Sequence, residues 1–134
     1  MLDRSNNQPG ISYEELTTGY EFPPAGFELS TSLISKYLMA VDSRGGEFVP
    51  PLAIAAYAMT AISSSLLLPP GTIHASQELE LYKLVPMGTK VNCQAKVARK
   101  LSRGQMRMLV LELNIRDENG EMVQLGKATV MLPA

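Results

Sequence analysis

The sequence predicts an α+β fold in which a curved antiparallel sheet wraps around a long apolar central helix. Three observations point there. Residues 51–68, PLAIAAYAMTAISSSLLL, run for 18 residues without a charge. Beyond Gly71 the apolar spacing changes from helical to alternating, and that alternation persists through four runs separated by turn signals. A helix that is apolar on every side needs cover on every side, which a curled sheet supplies.

Taken in order, residues 1–10, MLDRSNNQPG, are polar and lack the apolar stretch of a signal peptide. They are expected to form a flexible arm, and residues 11–134 a single domain, as a chain of 134 residues suggests. A short strand is expected near residues 27–29. In residues 30–42, STSLISKYLMAVD, Leu33, Ile34, Tyr37, Leu38 and Val41 recur at helical spacing behind hydroxyl residues suited to an N-cap. SRGGEF then breaks the helix, because two successive glycines favour turns over a helix interior. The next helix opens at Pro50 or Pro51, where a fixed φ suits the first helical position and a missing N–H costs nothing. Alanines at 53, 55, 56, 58 and 61 keep it slim enough for a sheet to approach closely, and PPG at 69–71 ends it.

The four strand-like runs span residues 72–84, 89–101, 106–116 and 121–133. In the first, Ile73, Ala75, Gln77, Leu79 and Leu81 are expected on one face, with His74, Ser76, Glu78, Glu80 and Tyr82 on the other. Val91, Cys93, Ala95 and Val97 form the apolar face of the second, and Leu109, Leu111, Leu113 and Ile115 that of the third. VPMG, SRGQ and DENG supply the turns; Asn119-Gly120 is a strong hairpin signal because both residues tolerate positive φ.

Composition narrows the function. Twelve basic and 13 acidic residues, a net charge of −1, make no basic field for a nucleic acid. Residues 51–68 are not expected to span a membrane, because hydroxyl residues interrupt them, prolines bound them and basic anchors are missing from their flanks. One cysteine and one histidine provide neither an internal disulfide nor the usual four zinc ligands. A reducing, cytoplasmic setting is expected, with no metal and no cofactor. Cys93 falls on an apolar strand face, where a thiol behaves as a small hydrophobe.

Several pieces together carry a resemblance. ISYEELTTGYEF at the start, LISKYLMAVD, FVPPLAIAAY with its Phe-Val-Pro-Pro helix opening, TIHASQELELYKLVPMGTKV with its Pro…Gly turn, and GKATVMLP all occur in an order similar to the MaoC-like dehydratase/hydratase branch of the hot-dog superfamily. The likeness spans residues 11–133. It implies a hot-dog fold and chemistry on acyl thioesters carried by CoA or acyl carrier protein.

The resemblance also implies where chemistry would sit. Active members use an Asp at the end of the first helix and a His five positions later to exchange a proton and a water with a 2-enoyl or 3-hydroxyacyl thioester. Histidine supplies a pKa near working pH, and the carboxylate orients the water. Asp42 stands at the Asp position, but Glu47 stands where the His would be, so the pair is broken. Asp42 reads as a remnant of that pair or simply as a helix-ending residue; Glu47 replaces the base only if burial raises its pKa. His74, the only histidine, is a structural residue or a displaced base acting across a dimer interface. Arg44 contacts a ligand phosphate or is solvated. Tyr57 and Met59 line an acyl pocket or pack in the core.

The reading that results is an acyl-thioester-binding protein without the Asp/His pair, catalytically impaired or acting with a partner subunit. The alternatives are an active enoyl-CoA hydratase/3-hydroxyacyl dehydratase or thioesterase with relocated acidic residues, and a non-enzymatic small-molecule binder or structural oligomer. A homodimer or higher homo-oligomer is expected, or a heterodimer with a catalytic hot-dog subunit.

Overall fold

A computed structural model describes residues 10–40 and 47–133. The expected N-terminal arm therefore lies outside the described residues, apart from Gly10. In chain order the elements are β1 (Ile11–Ser12), a 3-10 turn (Tyr13–Glu15), β2 (Ala25–Glu28), α1 (Thr31–Ala40), α2 (Pro51–Ser63), β3 (Leu66–Leu67), β4 (Ile73–Leu81), β5 (Lys90–Arg103), β6 (Met106–Asp117) and β7 (Met122–Leu132). Strands β2, β5, β6, β7 and β4 form one sheet in that order, with every neighbouring pair antiparallel. β1 and β3 pair in parallel as a separate two-stranded ribbon.

Alternation in the sequence decides which face of the sheet is buried. Val91, Cys93, Ala95 and Val97 of β5, the odd-numbered leucines and Ile115 of β6, and Ala128, Val130 and Leu132 of β7 share one face. They join Ala53, Ile54, Ala58 and Ile62 of α2 and Ile34 and Leu38 of α1 in a single core. Three bulges interrupt the ladder, at Ala75 of β4, Ala98 of β5 and Val123 of β7. Each adds a residue to one strand only, which bends that strand and increases the local twist. At Asn119-Gly120 the expected hairpin forms: Gly120 has φ +80°, and the Asp117 carboxylate accepts from the Asn119 and Glu121 amides at 2.9 Å.

Two expectations are corrected. The central helix runs for 13 residues rather than 18 and stops at Ser63. There the hydroxyls that follow the alanines turn back on the backbone: Thr60 donates to the Ala56 carbonyl, Ser63 to Met59 and Ser64 to Ala61. The Ser65 carbonyl is taken by the Ile11 amide at 3.1 Å, and Leu66–Leu67 leaves the helix to pair with β1. Gly10 is required beside that junction, since a Cβ there would lie 2.9 Å from the Leu66 nitrogen. Nor is the helix covered all round, because Leu52, Ala56, Thr60 and Ser63 are exposed along one face.

The second correction concerns His74. The bulge at Ala75 reverses the alternation, so His74 lies opposite Val130 and shares the inner face with Gln77, Leu79 and Leu81. The alternation of the sequence places it on the other face, and only the ladder register reveals the extra residue.

Candidate functional site

The turn at residues 85–89 gathers both ends of the segment in which the sequence places chemistry. On one side, the Leu29 amide donates to the Thr89 carbonyl and the Gly88 amide to Leu29, each at 2.8 Å, just before α1. Ser30 then caps that helix, its Oγ accepting from the Leu33 amide. On the other side, Val49 donates to the Val85 carbonyl at 2.8 Å, Phe48 bridges to Pro86, and Met87 donates to the Glu47 carbonyl at 3.4 Å. Asp42 and Arg44 lie between these anchors and outside the described residues.

Glu47 is exposed, so a role as a buried base requires cover from outside this chain's described residues. His74 is also exposed, at the far end of β4 from Leu81. At about 3.3 Å per residue that separation is roughly 20 Å, so within one chain His74 is not brought to the Glu47–Val49 segment. Tyr57 is half-buried and its hydroxyl donates to the Leu33 carbonyl at 3.0 Å, tying α2 to α1. Met59 is partly buried and packs on the core.

Beside the turn, a groove of about 370 Å³ is lined by Lys83–Pro86, Thr89 and Asp117–Asn119. Its lysine is already engaged. Lys83 pairs with Asp117 and, at 2.7 Å, with Glu121. The Lys83 ammonium holds the Asp117 carboxyl below its ordinary range, aided by the Glu121 and Asn119 amides. Asp117 and Glu121 in turn raise Lys83. This neutralised cluster is not the basic mouth that a CoA phosphate would seek. Among the described residues, no group of three His, Cys, Asp or Glu side chains is placed to hold a metal ion. No helix among them is long and apolar enough to cross a membrane.

Cys93 is buried on the inner face, and burial pushes its thiol up to about 12. A thiol held so far toward its neutral form is a poor nucleophile. Ellman's reagent is expected to leave the native protein unmodified and to titrate one thiol after unfolding; rapid reaction of the native protein would contradict this placement.

The sequence reading passed over Gln124. It lies on β7 opposite Ile115 of β6 and Leu81 of β4, on the face it shares with Ala128, Val130 and Leu132. It is fully buried, and among the described residues neither its Nε2 nor its Oε1 has a hydrogen-bond partner. A buried polar group left unpaired costs about 1–3 kcal/mol. Its signal was present in the sequence: in Gln124, Gly126, Ala128, Val130 and Leu132 it is the one polar side chain on an alternating face of small and apolar residues.

No protein-family model matches the chain, and no curated protein matches it in sequence. Solved structures do match. The R-hydratase PhaJ1 of Pseudomonas aeruginosa superposes with a TM-score of 0.77 at 19% identity, over 92% of this chain and 86% of that one. A MaoC-like dehydratase of Rhodospirillum rubrum gives 0.74 at 22%, over 92% and 97%. A chain of the C-terminally truncated HadBC (3R-hydroxyacyl-ACP dehydratase) complex of Mycobacterium tuberculosis gives 0.70 at 16%, over 85% and 96%. The antiparallel sheet packed on α2 is thus the hot-dog fold, in the form found in MaoC-like dehydratases and R-hydratases.

Proposed function

We propose that the chain binds an acyl thioester of CoA or acyl carrier protein, and that it is catalytically impaired alone or works with a partner subunit in the cytoplasm. The observation that carries this reading is the segment pinned to the turn at residues 85–89. It occupies the position at which the resemblance places an Asp/His pair, yet it presents Glu47 five residues after Asp42, and Glu47 is exposed. A histidine changes charge near neutral pH without help, and this segment of the sequence carries none. The HadBC neighbour is itself a complex, which supports a hot-dog partner that supplies what this chain lacks.

The test combines titration with two assays on the purified chain. Crotonyl-CoA is expected to bind without loss of the conjugated thioester absorbance and without CoA release, and Glu47→Gln is expected to change neither result. Hydration abolished by Glu47→Gln would instead assign an acid/base pair rebuilt in the loop. CoA release would make the protein a thioesterase, and absence of binding would leave a structural oligomer.

A further inference from the structure

We propose that one end of the outer face of the sheet is a docking surface for an anionic lipid bilayer. Strand register builds the patch. Leu101 of β5 pairs with Met108 of β6, Met108 with Met131 of β7, and Met131 with Ile73 of β4. Cross-strand partners point the same way, so these four apolar side chains form one row across four strands. Met108 and Met131 alternate with buried Leu109 and Val130, which puts the row on the face away from the core. Met106 extends the patch beyond that row, beside the hairpin that turns through Gly104. Leu101, Met106 and Ile73 are exposed, and an open groove of about 650 Å³ is lined by Ile73, Met106, Met131 and Pro133 together with Arg103 and Gln105.

Positive charge gathers at the same end. Residues 95–111 hold Lys96, Arg99, Lys100, Arg103 and Arg107 and no acidic residue, in a chain of net charge −1. Three of these are engaged within the chain: Lys96 pairs with Glu112, Arg107 with Glu14, and Lys100 lies over the Tyr13 ring and donates to the Leu16 carbonyl. Arg99 and Arg103 are exposed and, among the described residues, form no ion pair. Their partners Val110 and Met106 place them on the outer face, two residues to either side of Leu101. Nearer the candidate site, the outer row Lys96, Glu112, Lys127 and Glu78 alternates in sign and sums to zero, which bounds the patch.

An anionic bilayer matches both halves of this patch, with phosphates for the arginines and an apolar layer beneath them for leucine and methionine. Arginine suits that boundary because its stem lies along apolar surface while the guanidinium stays at the phosphates. A protein partner is better served by rigid aromatic anchors at the centre of a patch, and flexible methionines stand there instead. The contact is peripheral, with the sheet lying on the bilayer surface. Vesicles carry no thioester, so lipid binding and acyl-thioester binding succeed or fail separately.

Co-sedimentation of the purified full chain tests the surface, using vesicles of equal parts phosphatidylcholine and phosphatidylglycerol and vesicles of phosphatidylcholine alone. Wild type is expected to sediment with the anionic vesicles at low ionic strength, to be released by salt at about 0.5 M, and to ignore the neutral vesicles. At about fivefold in affinity per arginine near an anionic surface, Arg99→Gln combined with Arg103→Gln is expected to weaken binding by about 30-fold, and lysine at both positions to keep most of it. Leu101→Ser combined with Met106→Ser leaves the charge alone and should weaken binding as well. All four side chains are exposed, so melting curves of the variants should match wild type. Arg103→Gln alone, with about a fivefold loss, replaces any pair that melts early. Wild type that does not bind anionic vesicles, that binds neutral ones equally, or whose glutamine or serine variants bind as it does would overturn the assignment. Protein that ignores vesicles but binds polyglutamate through Arg99 and Arg103 would make the patch a docking face for an acidic protein and overturn it too.

Discussion

Leu111→Ala is expected to lower the unfolding free energy by about 3–5 kcal/mol, read as a lower urea midpoint at unchanged denaturant dependence. Leu111 is fully buried on β6, the middle strand of the sheet, between Val97 of β5 and Ala128 of β7. Both neighbours are short and fixed by pairing on either side, so they cannot swing into the space left behind. The cost therefore includes most of the cavity as well as the lost transfer energy. Because domains are stable by only about 5–15 kcal/mol, this one change removes a large share of the total. A loss under 1 kcal/mol would mean that α2 relaxes onto the sheet and that the core is less tightly packed than described.

The same row of residues shows why much of the fold was legible. Period-two spacing requires only that one face be buried, and all four long strands formed within a few residues of where alternation put them. Pro51 opened α2 because a missing N–H costs nothing at the first helical position. What the sequence concealed was non-local. The end of α2 depends on β3 finding β1 more than 50 residues away, and hydrophobicity alone carried the predicted helix on through Leu66–Leu68. The bulges are equally hidden, because an added residue looks like any other until its partner strand is known. That is why His74 was assigned to the wrong face.

The candidate site was legible as chemistry more than as geometry. Glu47 in place of a histidine is visible by counting from Asp42, and nothing in that count indicates that Glu47 is exposed or that the turn at residues 85–89 anchors it. The pairing of Lys83 with Asp117 and Glu121 is equally non-local, joining residues far apart in the chain. Gln124 lay in plain view on an apolar face but had meaning only once its burial and lack of partners were known.

We propose that two copies of the chain pair along β4; on that reading Ile73→Lys combined with Leu81→Lys is expected to give a monomer where the wild type is a dimer, measured by sedimentation or light scattering. The two edges of the sheet are unequal. β2 is four residues long and follows Pro23-Pro24, which blunts it as a pairing template. β4 is nine residues long, with Ile73 62% exposed and Leu81 half-exposed. An edge of that length and character is open to another strand, and a two-fold axis makes the simplest partner a second copy. Antiparallel pairing centred near Glu78 sets residues 74 and 81 of the two copies opposite one another once the bulge is counted. The partner subunit's His74 would then stand beside Leu81, on the inner face and next to Gln124, at the end of the sheet that lacks a histidine of its own. The lysines should cost the single chain little, because both positions are substantially exposed, while in the pair they place unpaired charge in an apolar contact. A variant that remains dimeric would locate the interface elsewhere, and His74 would then be a surface residue with no part in the site.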